Sequence, residues 1–213
     1  MTKKVVVVKK VNGKKRKSNR KGYKPFKPIP QSMKICLRSR TYETTSGSSS
    51  PFFYRYGLVE FLSRTGSYID SFFGLYNLAI IHGCRITLRL VNMSSEPLIL
   101  AVAPLPYSWA SGSPTVSELL DCPRAVRRTA GGNGGQDKAQ ITSAHTVRSL
   151  LGKEYNISTY QMTAAQAASS TPLYVDEPCW TVAVTAFNAS SAISYRLEVE
   201  LEFSTEFYSL DSR

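Results

Sequence analysis

This 213-residue sequence predicts an all-β fold. Three observations predict it. From Met33 onward, alternating runs are separated by clusters of Gly, Pro, Ser and Asn. The runs are rich in Val, Ile, Tyr, Phe and Thr, residues that suit a pleated, half-buried surface. Only brief segments carry helix signals, so eight strands with few helices point to a closed barrel or two packed sheets.

The first strand is expected at about 33–43, and a Ser-rich turn, Thr45–Pro51, leads to the second at about 52–62. A connection through Gly66 and Gly74 reaches a long third strand, about 77–92. Asn92–Pro97 turns the chain into the fourth, about 98–105. Ser113-Pro114 has the form of a helix N-cap followed by proline at the first helical position, predicting a short helix through Leu120 that Pro123 stops. The fifth and sixth strands, about 124–130 and 138–146, flank the Gly131–Gly135 segment, which has hairpin-loop chemistry. A helical or irregular segment covers 147–177, and the seventh and eighth strands span about 178–188 and 193–208.

The last strand has the clearest pattern. Ile193, Tyr195, Leu197, Val199, Leu201 and Phe203 fall on one face, and Arg196, Glu198, Glu200 and Glu202 on the other. Three successive glutamates on one face repel unless neighbouring strands compensate. Lys34, Arg38 and Arg40 share a face of the first strand, and Arg85 and Arg89 share a face of the third. In an eight-stranded antiparallel jelly roll of two four-stranded sheets, the last strand lies between the first and third. Glu198, Glu200 and Glu202 are therefore expected to meet Arg38 or Arg40 on one side and Arg85 or Arg89 on the other. The competing expectation is that these arginines face nucleic acid.

The net charge of +12 sits entirely in the first 28 residues. These hold Lys3, Lys4, Lys9, Lys10, Lys14, Lys15, Arg16, Lys17, Arg20, Lys21, Lys24 and Lys27, with no acid. The remainder carries 15 bases and 15 acids. The chain thus divides into a basic, disordered nucleic-acid-binding arm, 1–30, and a neutral jelly-roll domain, 31–213. Gly13, Gly22, Pro25, Pro28 and Pro30 break regular structure in the arm, and like charge extends it. Fully stretched, it reaches roughly 100 Å. Such an arm neutralises a polyanion, foremost nucleic acid, with little sequence preference. Lys14-Lys15-Arg16-Lys17 also matches a nuclear-import cluster. Val5–Val8 is too short an apolar run for a signal peptide or a membrane span. The sequons at Asn92, Asn156 and Asn188 are accordingly read as chance.

The residues that could carry chemistry are few. Cys36, Cys84, Cys122 and Cys179 are far apart in sequence and lack histidine at ligand spacing, so reduced, mostly buried thiols are expected and no metal site is nominated. His82, preceded by Ile80 and Ile81, reads as a packed or hydrogen-bonded strand residue. His145 has no Cys or acid close in sequence. No G-x-S-x-G, P-loop, H-E-x-x-H or EF-hand pattern occurs. Neither an enzymatic activity nor a cofactor is predicted.

Several stretches together resemble a known class: the basic arm, then Phe52-Phe53-Tyr54-Arg55-Tyr56, then Tyr76 through Ile86. Pro97–Pro104, Glu118 through Pro123, Pro178 through Val184 and the alternating last strand continue it. The chain resembles the single-jelly-roll capsid proteins of small icosahedral viruses, particularly satellite-virus-like shells and circular, Rep-encoding single-stranded DNA viruses. The resemblance implies a T=1 shell of 60 copies with inward arms, packaging a single-stranded DNA or RNA genome, without a membrane. Sixty arms would bring about 720 positive charges to that genome. It also implies a virion location, with a host-nucleus stage if the genome is DNA, and leaves calcium between subunits open. The alternative is a cellular nucleic-acid-binding β-barrel protein with a basic tail, such as a ribosomal or chromatin protein.

Overall fold

The computed structural model describes residues 29–49, 51–57, 69–106, 115–132, 136–151, 161–167, 178–188 and 191–210. The chain divides into two units, Met1–Pro30 and Gln31–Arg213, and the second holds every described strand.

Among the described residues nine strands form two antiparallel sheets: β1 Ser32–Ser49, β2 Phe52–Tyr56, β3 Tyr76–Asn92, β4 Leu98–Pro106, β5 Val126–Ala130, β6 Lys138–Thr146, β7 Gln161–Met162, β8 Pro178–Ala186 and β9 Ala192–Leu210. One sheet has the order β1-β9-β3-β6, with β7 beside β3, and the other has the order β2-β8-β4-β5. The arrangement is a jelly roll. It contains the eight expected strands, and the last lies between the first and third. The two-residue β7 raises one sheet to five strands; it is too short for alternation to reveal.

The facing surfaces of the two sheets form the core. Leu37, Ile86, Leu88, Leu90, Leu197, Val199 and Leu201 from one sheet meet Leu98, Leu100, Val102, Trp180, Val182 and Val184 from the other, each at most 1% exposed. Trp180 packs edge-on to Phe203 with centroids 6.4 Å apart, and its Nε1 donates to Ser143 Oγ at 3.3 Å. Period-two alternation along β9 is what sends this apolar row inward and its glutamates outward.

Strand β8 is buried on both faces. Ala101, Ala103 and Ala183 leave room on the outer side of the four-stranded sheet, and a helix, α1 (Val116–Asp121), fills it with Leu119. The predicted N-cap Ser113 and its Pro114 lie outside the described residues. The cap is Thr115 instead. Its hydroxyl accepts from the Glu118 amide at 3.3 Å, and the Glu118 carboxylate accepts from the Thr115 amide at 2.6 Å. Thr115-x-x-Glu118 is a reciprocal capping box and a better start signal than Ser-Pro. These bonds hold the Glu118 carboxyl below its ordinary range.

Two expectations are corrected, and one connection gains structure the sequence reading left unassigned. The Ser-rich stretch after Thr45 is not a turn but the end of β1. It pairs with β9 through Ser49, across a register shift between Thr45 and Ser48, with Gly47 at φ +63°. The strands flanking Gly131–Gly135, of which 133–135 lie outside the described residues, are not a hairpin pair: β5 pairs with β4 and β6 with β3. β5 and β6 belong to different sheets. Gly132 packs so tightly that a Cβ would lie 1.9 Å from the Ser95 carbonyl oxygen. Finally, the connection before β3 contains a helical turn over 69–73. It buries Ile69 and sets Phe72 and Phe73 against Phe207, centroids 5.1 and 5.4 Å away. Strand β2 ends at Tyr56, and 58–62 lie outside the described residues. In the predicted helical or irregular region, α2 (Val147–Leu151) and α3 (Ala164–Ala167) flank β7.

Candidate nucleic-acid interface

The twelve arm bases, Lys3 through Lys27, lie outside the described residues, as does the Lys14–Lys17 cluster. The charged surface that can be described is the outer face of the five-stranded sheet. Its centre is β9, which aligns Glu198, Glu200, Glu202 and Glu206 on one side of the strand.

Register brings both basic strands to these acids. Arg38 stands opposite Glu202 and Arg40 opposite Glu200 on β1, while Arg85 stands opposite Glu202 and Arg89 opposite Glu198 on β3. Arg38 Nε reaches Glu202 at 2.7 Å, and Arg85 Nη1 reaches the other carboxylate oxygen at 3.2 Å. Arg40 contacts Glu198 at 3.1 Å and Glu200 at 3.6 Å. Arg89 contacts the same pair at 3.0 and 3.3 Å. The predicted charge ladder is present on both sides of β9.

The ladder runs one step further than predicted. Glu206 binds His82 Nε2 at 2.8 Å and Lys34 Nζ at 3.4 Å. The His82 hydrogen bond, with Lys34 adding to it, lowers the Glu206 carboxyl below its usual range. His82 is thus hydrogen-bonded, as expected, though on the outer face. The signal for Glu206 was the same alternation, continuing through Thr205 and Phe207, both fully buried.

Exposure differs between the two signs of charge. The glutamate side chains are 14–23% exposed, while the lysine and arginine side chains contacting them are 38–71% exposed. The cations lie over the acids. Arg196 and Lys138 extend the face, giving seven Lys or Arg against four Glu. Cross-strand pairing and a basic outward surface therefore coexist on this face.

The remaining candidate residues form a structural cluster. Ser143 Oγ lies 3.0 Å from His145 Nε2, and Trp180 donates to the same hydroxyl. Ser143 therefore has its own proton available for the imidazole. Burial, with Arg124 adding to it, pushes the His145 pKa below its ordinary value. Among the described residues no carboxylate bonds this imidazole. Cys84, across the sheet from His145, donates to the His145 carbonyl at 3.7 Å, and burial pushes its thiol up to about 12. Cys84 and Cys179 are buried, Cys122 is partly buried and Cys36 is exposed, so the expectation of mostly buried thiols holds for two of the four. Cys36 sits on the outer face because it shares the parity of Lys34 and Arg38. Among the described residues no group of His, Cys, Asp and Glu is placed to hold a metal ion, and no helix is long and apolar enough to cross a membrane.

No family model and no curated protein matches this chain. Solved structures do. The fold is similar to a chain in the crystal structure of Cucumber Necrosis Virus, with a TM-score of 0.51 and 10% identity, covering 86% of this chain and 58% of that one. Two further matches are Cocksfoot mottle virus (TM-score 0.49, 12% identity, 99% of this chain and 98% of that one) and Desmodium yellow mottle tymovirus (0.47, 15%, 90% and 98%). At these identities the likeness speaks to fold, and the Cucumber Necrosis Virus match agrees with the jelly-roll topology. None of the three is a circular, Rep-encoding single-stranded DNA virus, so the DNA side of the resemblance gains no support from them.

Proposed function

We propose that the chain is the coat protein of a small icosahedral virus. In this reading residues 31–213 associate with copies of themselves into a closed shell of 60, and the arm 1–30 binds a packaged single-stranded genome. The observation that carries it is the separation of charge: a jelly-roll body with equal numbers of acids and bases, and an arm holding the whole +12. A neutral body lets copies pack without strong mutual repulsion, while a dense run of Lys and Arg releases counterions from phosphates. The resemblance to capsid jelly rolls and the likeness to virus structures support the same reading.

The test is expression of the full chain, sedimentation on a sucrose gradient and negative-stain microscopy. Uniform shells that protect nucleic acid from nuclease are expected. Replacing the twelve arm bases by Gln should leave the β-domain folded and remove the protected nucleic acid. Protected DNA would favour a nuclear-import role for Lys14–Lys17, and protected RNA would remove it. The second reading, a cellular nucleic-acid-binding β-barrel with a basic tail, draws on the seven bases over four acids of the outer sheet face. A monomer that binds RNA and never closes into shells would favour it.

A further inference from the structure

One end of the charged face is concave. Two rows of facing residues cross β1, β9, β3 and β6 there: Thr44, Arg196, Val91 and Lys138, then Tyr42, Glu198, Arg89 and Gln140. Val91 is short between the long Arg196 and Lys138, and the surface dips into a depression of about 480 Å³ lined by Tyr42, Arg89, Lys138, Gln140, Arg196 and Glu198. That is a volume in the range of small-ligand sites.

The lining has an uneven charge balance. Its one acid from β9, Glu198, is already bound by Arg40 and Arg89. Among the described residues Arg196 and Lys138 are in no ion pair. Arg196 instead lies over the Tyr42 ring, 4.8 Å from its centroid, and Tyr42 is 49% exposed. A tyrosine half open to solvent, a guanidinium lying over its ring, a second free cation two strands away and an amide between are complementary to one kind of occupant. Bases stack on aromatic rings and on guanidinium planes. Phosphates accept from Arg and Lys. The amide of Gln140 can donate to or accept from a base edge.

We propose that this depression is a nucleotide subsite for single-stranded nucleic acid, in which the Tyr42–Arg196 pair receives a base while Arg196 and Lys138 bind the flanking phosphates. The inference deepens the packaging reading and rests on it: the arm supplies bulk neutralisation, and the face supplies an ordered contact.

The test uses the full chain and a fluorescent ten-nucleotide oligo-dT. Photocrosslinking with 5-iodouracil in the probe, followed by tandem mass spectrometry, should place adducts on Tyr42. The double variant Lys138→Gln, Arg196→Gln should flatten the dependence of log K on log salt by about 1.4, two phosphate contacts' worth for a single strand. Tyr42→Ala should weaken binding by roughly 5- to 100-fold with little change in that slope. Adducts confined to residues 1–28, with the slope unchanged in the double variant, would overturn the subsite and leave the packaging reading standing. Failure of the full chain to bind the oligonucleotide at all would remove both. A double variant that binds oligo-dT like the parent but no longer forms shells would overturn the subsite in favour of a contact between copies of this chain.

Discussion

Arg38 on β1 and Arg85 on β3 hold the two oxygens of one carboxylate, that of Glu202 on β9, at 2.7 and 3.2 Å. The central strand is thereby tied to both neighbours at a single rung, and Glu200 is also held from both sides, its Oε2 meeting Arg40 across the rung and Arg89 on the diagonal. Slipping β9 by one residue would turn its glutamates into the core and its Leu and Val to solvent. Surface pairs are individually weak, so the main effect of the ladder is to select register and strand order.

Reversing one rung should therefore cost more than neutralising it. Glu200→Lys places a third cation between Arg40 and Arg89, whereas Glu200→Gln only removes an attraction. Thermal melts followed by circular dichroism should show Glu200→Lys lowered by roughly 2–4 °C and Glu200→Gln by less. The gap between the two should narrow in 0.5 M salt as exposed charges are screened. Equal melting temperatures for both variants at low salt would mean that the ladder does not act through charge.

Two pH windows should separate. His145 is held below its ordinary pKa by burial, so the stability tied to its neutral form is complete above the unfolded value. It is lost as pH falls through the lower folded value. Glu206 is a carboxylate held low by His82 and Lys34. Its contribution is complete above the ordinary carboxylate range and is lost only at more acid pH. Urea unfolding across pH 3–8 should show His145→Asn removing a loss on the weakly acid side. Glu206→Gln should instead differ from the parent at neutral pH and converge with it in acid.

The sequence pattern reaches as far as local periodicity and charge can carry it. Strand β9 is legible because thirteen alternating residues, 193–205, leave one consistent assignment of faces, and the ladder follows from it. The extension of β1 to Ser49 is not, because Thr45–Ser49 has turn composition and is held as strand only by pairing with β9 across the Gly47 irregularity. The Gly131–Gly135 segment shows why local chemistry misleads: a Gly-Asn-Gly run suits a hairpin, but which sheet receives the next strand depends on distant partners. Tyr42 carries no sequence signal for a related reason. Its neighbours Arg196 and Lys138 are distant along the chain and meet it only through register.

Packing sets a larger scale. Leu88 is fully buried between Val199 and Ile141 in register. Leu88→Ala should cost about 2–5 kcal/mol in chemical denaturation, the transfer loss plus the cavity left behind. Met93→Ala, at a side chain 58% exposed, should stay within about 0.5 kcal/mol and serves as the control.

The two informative glycines should fail for different reasons. At Gly47 the backbone φ of +63° disfavours any residue with a Cβ, yet no atom lies within 4 Å of where that Cβ would sit. Gly47→Ala thus meets only the left-handed penalty, about 1–2 kcal/mol. At Gly132 no such φ is required, but the Cβ would collide with the Ser95 carbonyl and approach the Glu96 backbone at 3.1 Å. Both obstacles are backbone, so relief requires moving the 94–96 turn. That turn is itself pinned by Asn92, whose side-chain amide donates to the carbonyls of Glu96 and Gly131 at 2.8 and 2.9 Å. Gly132→Ala should therefore destabilise more than Gly47→Ala. It should also increase amide hydrogen exchange at Met93–Glu96, which Gly47→Ala leaves unchanged. Equal losses with no local change in exchange would mean that the crossing between sheets tolerates displacement and that the close approach of Gly132 to Ser95 does not constrain it.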